Sequence, residues 1–80
     1  MEQERISPEQ IRAARALLGM SQADLADRAK LSSMTIKRAE GIGSVEPSTV
    51  ALDVIQKTLE AAGVVFIPEN GGGAGVRLRK

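Results

Sequence analysis

Two short segments of helical periodicity follow one another between Ser21 and Glu40, and their close spacing restricts the fold more than any other feature of this chain. Each segment begins with a serine that can cap a helix: Ser21, with Asp24 three residues later, and Ser32 eleven residues after Ser21. The apolar positions recur at helical spacing, so the two segments can close on each other: Leu25, Ala26, Ala29, Leu31 and Ile36. The stretch therefore predicts a helix-turn-helix, an arrangement that places its second helix in a DNA groove.

The flanking segments predict two more helices. The run Ser7-Pro8-Glu9-Gln10 provides an N-cap, a proline at the first helical position and a capping-box glutamine, and Gly19 can end this helix. A longer helix begins near Ser48 and ends at Gly63. Ile11, Ala14, Leu17 and Leu18 recur at helical spacing on one face of the first helix. We interpret the apolar residues of the second helix as core rather than as an interaction surface: Val50, Leu52, Val54, Ile55, Leu59 and Ala62.

The last part of the chain changes from helical to strand periodicity. Residues 64–67 are β-prone, a glycine-rich turn follows, and residues 76–79 alternate strictly between apolar and basic. This pattern predicts a β-hairpin, which is marginal on its own and must pack on the helices or pair its edge with a second copy. The second arrangement would make a homodimer through the apolar strand residues Val65, Ile67, Val76 and Leu78.

The prediction is therefore a mainly α-helical fold in three parts. We expect a flexible N-terminus over residues 1–6, a four-helix helix-turn-helix domain over residues 7–63, and a short C-terminal β-hairpin over residues 64–80. A chain of 80 residues makes one domain with a modest core, so a large active-site cavity is not expected.

The composition argues against an enzyme. The chain has no cysteine and no histidine, which removes thiol nucleophiles, disulfides and the commonest ligands of transition metals. The glycine-rich run over residues 71–75 lacks the lysine and the following helix of a phosphate-binding loop. Phe66 is the one aromatic residue, so the chain has no stacking platform for single-stranded nucleic acid. We expect no enzymatic activity, no cofactor and no metal.

Charge and hydropathy suggest a cytoplasmic protein with no membrane partner, because no apolar run is long enough for a span and the N-terminus is polar and acidic. The net charge of +1 is too small to indicate a nucleic-acid binder by itself. The charge is unevenly placed, however, since residues 28–39 contain no acidic residue and four basic ones: Arg28, Lys30, Lys37 and Arg38. This cluster indicates a nucleic-acid-facing surface or, alternatively, a solvated helix face.

The chain resembles the Cro/C1-type (XRE) helix-turn-helix family of small bacterial and phage regulators. The resemblance covers residues 11–63 and rests on Gly19-Met20-Ser21-Gln22, Leu25-Ala26, Leu31-Ser32, Thr35-Ile36 and Glu40. It implies a lambda-repressor-like domain, and the tail is similar to that of short proteobacterial members in which strands replace the usual fifth helix. Two positions depart from the family pattern: Lys30 stands where a glycine is frequent, and Ala39 where a large apolar residue is usual.

The resemblance also implies a set of DNA contacts. Base contacts would come from the outward-facing positions of the second motif helix, where basic side chains can address guanine and an apolar one a thymine methyl: Ser33, Met34, Lys37 and Arg38. Phosphate contacts would come from the helix starts and nearby basic residues: Ser21, Gln22, Ser32, Arg28 and Lys30.

Two functions follow from these features. The first is a sequence-specific regulator of transcription that binds double-stranded DNA as a dimer, on two half-sites about one helical turn apart. The alternative is an anti-activator or antitoxin-like protein that uses the same fold to bind and inhibit another transcriptional regulator. The low net charge, the unusual Met34 and Ala39, and the strand-forming tail keep the alternative open, with DNA binding as the leading interpretation.

Overall fold

The computed structural model describes residues 5–79, which fold into four helices followed by a two-stranded antiparallel sheet. This confirms the expected mainly helical class with a terminal hairpin. Over these residues, no helix has the length and apolar character needed to cross a membrane. The predicted flexible N-terminus falls largely on residues 1–4, outside the described residues. The helices are Pro8–Leu18 (α1), Gln22–Ala29 (α2), Ser33–Ala39 (α3) and Thr49–Ala62 (α4), and the strands are Val64–Ile67 (β1) and Gly75–Leu78 (β2).

Serine caps begin all four helices. The side chain of each capping serine accepts a hydrogen bond from a backbone amide in the first turn, and the caps of α1 and α2 are full capping boxes. Gly19 ends α1 with a φ of 65°, in the left-handed region that glycine adopts at little cost. Lys30 ends α2 with a φ of 59°, a conformation that costs a side-chain-bearing residue about 1–2 kcal/mol. The capping serines are Ser7, Ser21, Ser32 and Ser48.

The core lies where the four helices meet the inner face of the hairpin. Every helix and β1 contribute at least one side chain that is fully buried. Ile6 is only 7% exposed and belongs to the same cluster, so the packed domain begins within the segment that the sequence assigns to the N-terminus. The largest fully buried side chains are Ile11, Leu25, Ile36, Ile55, Leu59 and Val64.

Two helices each present a large apolar residue to solvent, and at one of the two positions the sequence predicts core. Val50 on α4 is 69% exposed, and Leu17 on α1 is 44% exposed. The core prediction is wrong at Val50 because packing selects only one stripe of each helix. On α4 that stripe contains Ala51, Ile55 and Leu59, which recur every four residues, and Val50 lies beside it.

The hairpin presents two different faces. Val64 pairs with Leu78 and Phe66 with Val76, and since cross-strand partners share a face, these four side chains lie on the side of the buried Val64. Val65 and Ile67 lie on the opposite side, each half-buried. The four residues expected to form one dimerisation surface are therefore divided between the two faces, and Val76 packs against the core.

Candidate nucleic-acid interface

One face of α3 is exposed, and it carries the four residues expected to contact bases. Ser33, Met34, Lys37 and Arg38 are all exposed, Met34 to 48%, while Ile36 and Ala39 fix the opposite face of the helix in the core. Met34 therefore points to solvent, away from the buried Ala39. By helical spacing, Met34 and Lys37 occupy the middle of the exposed face, and Ser33 and Arg38 flank it.

Arg38 lies at the edge of this face, next to a shallow groove of about 380 Å³. The groove separates the end of α3 from the start of α1 and from the loop that follows Glu40, and Pro8, Gly41 and Val45 contribute to its walls. Arg38 therefore borders both the exposed face of α3 and this groove.

A buried ion pair fixes α3 to α1. The Glu40 carboxylate is 2% exposed and receives two hydrogen bonds from Arg15, with Nε–Oε2 at 2.5 Å and Nη2–Oε1 at 2.8 Å. The third Arg15 nitrogen, Nη1, donates to the carbonyl oxygen of Met20 at 3.0 Å. Hydrogen bonding to Glu40 raises the pKa of the Arg15 guanidinium, against the opposing effect of burial. Two nitrogens of the planar guanidinium bind both oxygens of the carboxylate, so the ion pair fixes the orientation of the Glu40 side chain as well as its distance from Arg15.

The same carboxylate reaches α2. Gln22, the first residue of α2, donates from Nε2 to Glu40 Oε1 at 3.0 Å, and Arg12 of α1 donates to the Glu40 carbonyl oxygen. Glu40 is also the C-cap of α3. One residue thus joins the end of α3 to the start of α2 and to the middle of α1. No buried side-chain nitrogen or oxygen among residues 5–79 is left without a hydrogen-bond partner.

Sequence reasoning missed the ion pair. Arg15 and Glu40 are 25 residues apart, and no local pattern relates an arginine on the flank of α1 to a carboxylate at the end of α3. The one available signal is that Glu40 directly precedes Gly41, at the end of a helix with two basic residues in its last turn. That signal places Glu40 next to α3 without identifying its partner.

The N-terminus of α2 is already partly occupied. Ser21 Oγ accepts from the Asp24 amide at 3.0 Å, and Asp24 Oδ2 accepts from the Ser21 amide at 3.1 Å. Hydrogen bonding from Ser21 to the Asp24 carboxylate lowers the pKa of Asp24, so an exposed negative charge is present beside the position expected to hold a phosphate. Gln22 keeps one amide hydrogen beyond its bond to Glu40. At the start of α3, the Ser32 hydroxyl contacts Thr35 Oγ1 at 2.9 Å.

Arg28 of α2 lies apart from the α3 face. Arg28 lines a groove with Lys57 and Ala61 of α4, in which no α3 residue takes part. Lys30 is exposed in the turn between α2 and α3. The structure therefore brings Ser33, Met34, Lys37 and Arg38 together and places Arg28 on another surface.

Over residues 5–79, no group of three or more acidic side chains is arranged to hold a metal ion. No protein-family model matches this chain, and no curated protein matches it. The resemblance to the Cro/C1-type family thus rests on the residues that carry it and stays a prediction.

Proposed function

We propose that this chain is a sequence-specific DNA-binding regulator of transcription, in which α2, the Lys30 turn and α3 form a helix-turn-helix. The observation that carries the proposal is the exposed α3 face, where Lys37 and Arg38 stand beside Met34 and Ser33 without an ion pair to any carboxylate of residues 5–79. The buried Glu40 network supports it, because base readout requires a recognition helix held at a fixed angle to its neighbour.

The roles of the side chains follow from their chemistry. Lys37 and Arg38 carry only hydrogen-bond donors and suit guanine O6 and N7 or a phosphate. Met34 offers an apolar surface to a thymine methyl, and the Ser33 hydroxyl can donate or accept. Ser21 and Gln22 at the start of α2 would position the domain on the phosphates, and Asp24 would limit how strongly that helix end binds an anion.

The proposed DNA complex contains two copies of the chain. Half-sites repeat at about 34 Å along the duplex. The described chain measures 33 × 29 × 18 Å, so two copies side by side can present their α3 helices at that spacing. The outer face of the hairpin, with Val65 and Ile67, and the unpaired outer edges of β1 and β2 are the surfaces we assign to the dimer.

The test is a selection from a random duplex pool at low salt, with the wild type and the Lys37→Glu, Arg38→Glu double variant carried in parallel. We expect a two-half-site consensus from the wild type alone. Lys57→Glu is a matched control, because it reverses an exposed lysine on α4, away from the α3 face. Recovery of the same consensus by the double variant would contradict base readout by α3.

The interaction-protein alternative draws its support from Met34, an exposed apolar side chain in the middle of a basic face. The two functions differ in their response to salt. Affinity for DNA falls steeply as salt rises, because bound counterions are released, whereas an apolar protein interface changes little. A well-folded wild type that enriches no duplex would favour the inhibition of another regulator.

A further inference from the structure

The turn that joins β1 to β2 contains the one asparagine of the sequence. Asn70 is followed by Gly71, Gly72 and Gly73, and all four residues are exposed. Gly71 has a φ of 97°, and apart from its chain neighbours no atom lies within 4 Å of the place that a Cβ would occupy. Asparagine is a chemically labile residue, and before a glycine its side-chain carbon is open to attack by the next backbone nitrogen.

The side-chain amide of Asn70 is turned back over the main chain that follows it. Its Oδ1 accepts a hydrogen bond from the Gly72 amide at 3.3 Å. A donor at this oxygen polarises the side-chain carbonyl and stabilises the negative charge that the oxygen gains when a nucleophile adds to Cγ. The Gly72 amide therefore both positions the Asn70 side chain and activates its Cγ atom.

The carboxylate of Glu69 binds the backbone nitrogen that would attack. Glu69 Oε2 accepts from the Gly71 amide at 3.2 Å and from the Gly73 amide at 3.0 Å. The Gly71 nitrogen must lose its proton as it forms a bond to Asn70 Cγ, and the carboxylate oxygen already lies next to that proton. A group within hydrogen-bond reach of the proton that it removes has the geometry of a general base.

We propose that the hairpin turn modifies itself, converting Asn70 to aspartate or isoaspartate. The Gly71 nitrogen forms a bond to Asn70 Cγ while Glu69 takes the amide proton. The Cγ–Nδ2 bond then breaks, and Nδ2 leaves as ammonia with the proton that Glu69 held. Water opens the resulting succinimide ring at either of its two carbonyl carbons. The reaction consumes water, releases ammonia and involves no change of oxidation state.

The product differs from the original chain in charge and, in its isoaspartate form, in the length of its backbone. The new carboxylate changes the net charge of the chain from +1 to 0. Isoaspartate adds a methylene group to the main chain of the turn, between the two carbonyl oxygens that Gln10 binds, those of Ile67 and Gly75. The reacting groups all lie in the turn, so the modification does not depend on the proposed DNA binding.

The test is to incubate the full chain near neutral pH and to follow the tryptic peptide of residues 58–77 by mass spectrometry. This peptide contains Asn70 and no glutamine, so a gain of about 1 Da identifies the modification. We expect the folded chain to react at least as fast as a synthetic peptide of the same residues, because the turn holds the reacting atoms together. A slower reaction in the folded chain would show that the turn protects Asn70 and would overturn the proposal.

A conservative variant tests the carboxylate of Glu69. Glu69→Gln keeps an oxygen that can accept from the Gly71 amide but cannot take its proton, so we expect the reaction to slow at least about tenfold. Glu46→Gln makes the same charge change in another exposed loop and should react as the wild type does. Circular dichroism checks that both variants are folded. Equal rates in Glu69→Gln and the wild type would refute the role of the carboxylate as a base.

Two substitutions at one position test the Gly72 amide. Gly72→Pro removes the N–H that binds Asn70 Oδ1 and should slow the reaction, whereas Gly72→Ala keeps it and should react at nearly the rate of the wild type. A Cβ at this position meets Asn70 Oδ1 at 3.7 Å, an ordinary contact, so the alanine variant is a fair control. Equal rates in these two variants would overturn activation of Asn70 by the turn.

Discussion

Glu40 shows how much of this small domain depends on one side chain. Its carboxylate binds Arg15 and Gln22, its carbonyl oxygen accepts from Arg12, and it caps α3. A buried carboxylate is costly to desolvate, and the bidentate arginine is what offsets that cost. In the proposed function its role is indirect, because it holds the α3 face at a fixed angle to α2.

We expect Glu40→Ala to lower the free energy of unfolding by about 3 kcal/mol, because it leaves the Arg15 guanidinium partly buried without a partner. Urea denaturation followed by circular dichroism measures this. Glu46→Ala removes an exposed carboxylate and should change stability by less than about 0.5 kcal/mol. Equal effects of the two substitutions would refute a structural role for the ion pair.

Lys30 provides a second prediction at the residue scale. Because its φ of 59° is unfavourable for any residue with a Cβ, Lys30→Gly should stabilise the protein by up to about 1 kcal/mol, seen as a rise in Tm. Lys57→Gly is the matched control within α4 and should cost about 1 kcal/mol. A fall in Tm for Lys30→Gly would mean that the side chain contributes more than the backbone strain costs.

The Asp24 carboxylate makes the stability of the folded chain depend on pH. Its pKa is lower in the folded chain than in the unfolded one, chiefly through hydrogen bonds to Ser21, so its contribution to stability is complete above about pH 4 and is lost as the pH falls through the folded pKa. Asp24→Asn keeps a capable capping-box side chain that does not titrate. The variant should lose less stability than the wild type between pH 5 and pH 2 in thermal melts. If the thermal stabilities of the wild type and Asp24→Asn changed identically with pH, the Asp24 carboxylate would not be the group responsible.

At the scale of elements, the hairpin is held in place by α1. The Gln10 side chain is almost fully buried and donates from Nε2 to the carbonyl oxygens of Ile67 at 3.2 Å and Gly75 at 2.9 Å, where the two strands enter the turn. Its Oε1 accepts from the Ser7 amide at 2.8 Å. The capping box of α1 therefore also positions the sheet, which explains how so short a hairpin can stay folded.

We expect Gln10→Ala to cost about 2 kcal/mol, because it leaves buried polar groups unpaired. It should also speed amide hydrogen exchange in β1 and β2 more than in α3. Gln56→Ala is the control, since that side chain bonds only to Glu60 on its own helix and should have little effect on the hairpin. Uniform acceleration across the whole chain would argue against a local link between α1 and the sheet.

At the scale of the whole molecule, the hairpin belongs to the core on one side and is only partly covered on the other. Val64 is fully buried, and Phe66 and Val76 pack against the core, so deleting residues 64–80 should unfold the domain and cannot serve as a clean test of dimerisation. Val65 and Ile67, on the outer face, can be substituted without removing a side chain from the core.

Val65→Lys with Ile67→Lys should therefore convert a dimer to a folded monomer in sedimentation experiments, because two lysines on each copy would repel across the interface. Val50→Lys, on the exposed side of α4, is the control and should leave the oligomer unchanged. A wild type that sediments as a monomer, or a double variant that stays dimeric, would contradict the assignment of this face.

The sequence by itself determined the elements, because the interactions that set them span few residues. The capping serines lie three residues from the amides they bind, Gly19 and Gly63 supply helix ends at positive φ, and strict alternation marks β2. The outward positions of α3 also follow from periodicity once Ile36 is known to be buried.

Only the tertiary structure decided how these elements face each other. Arg15 finds Glu40 across 25 residues, and Gln10 reaches carbonyl groups 57 and 65 residues away, distances over which a sequence pattern carries no information on pairing. The packing of α2 on α4 also decided that Arg28 lies apart from the α3 face and that Val50 is exposed while Ile55 is buried. Local hydrogen bonds define where a helix begins and ends, but which of its sides becomes core depends on the neighbour that covers it.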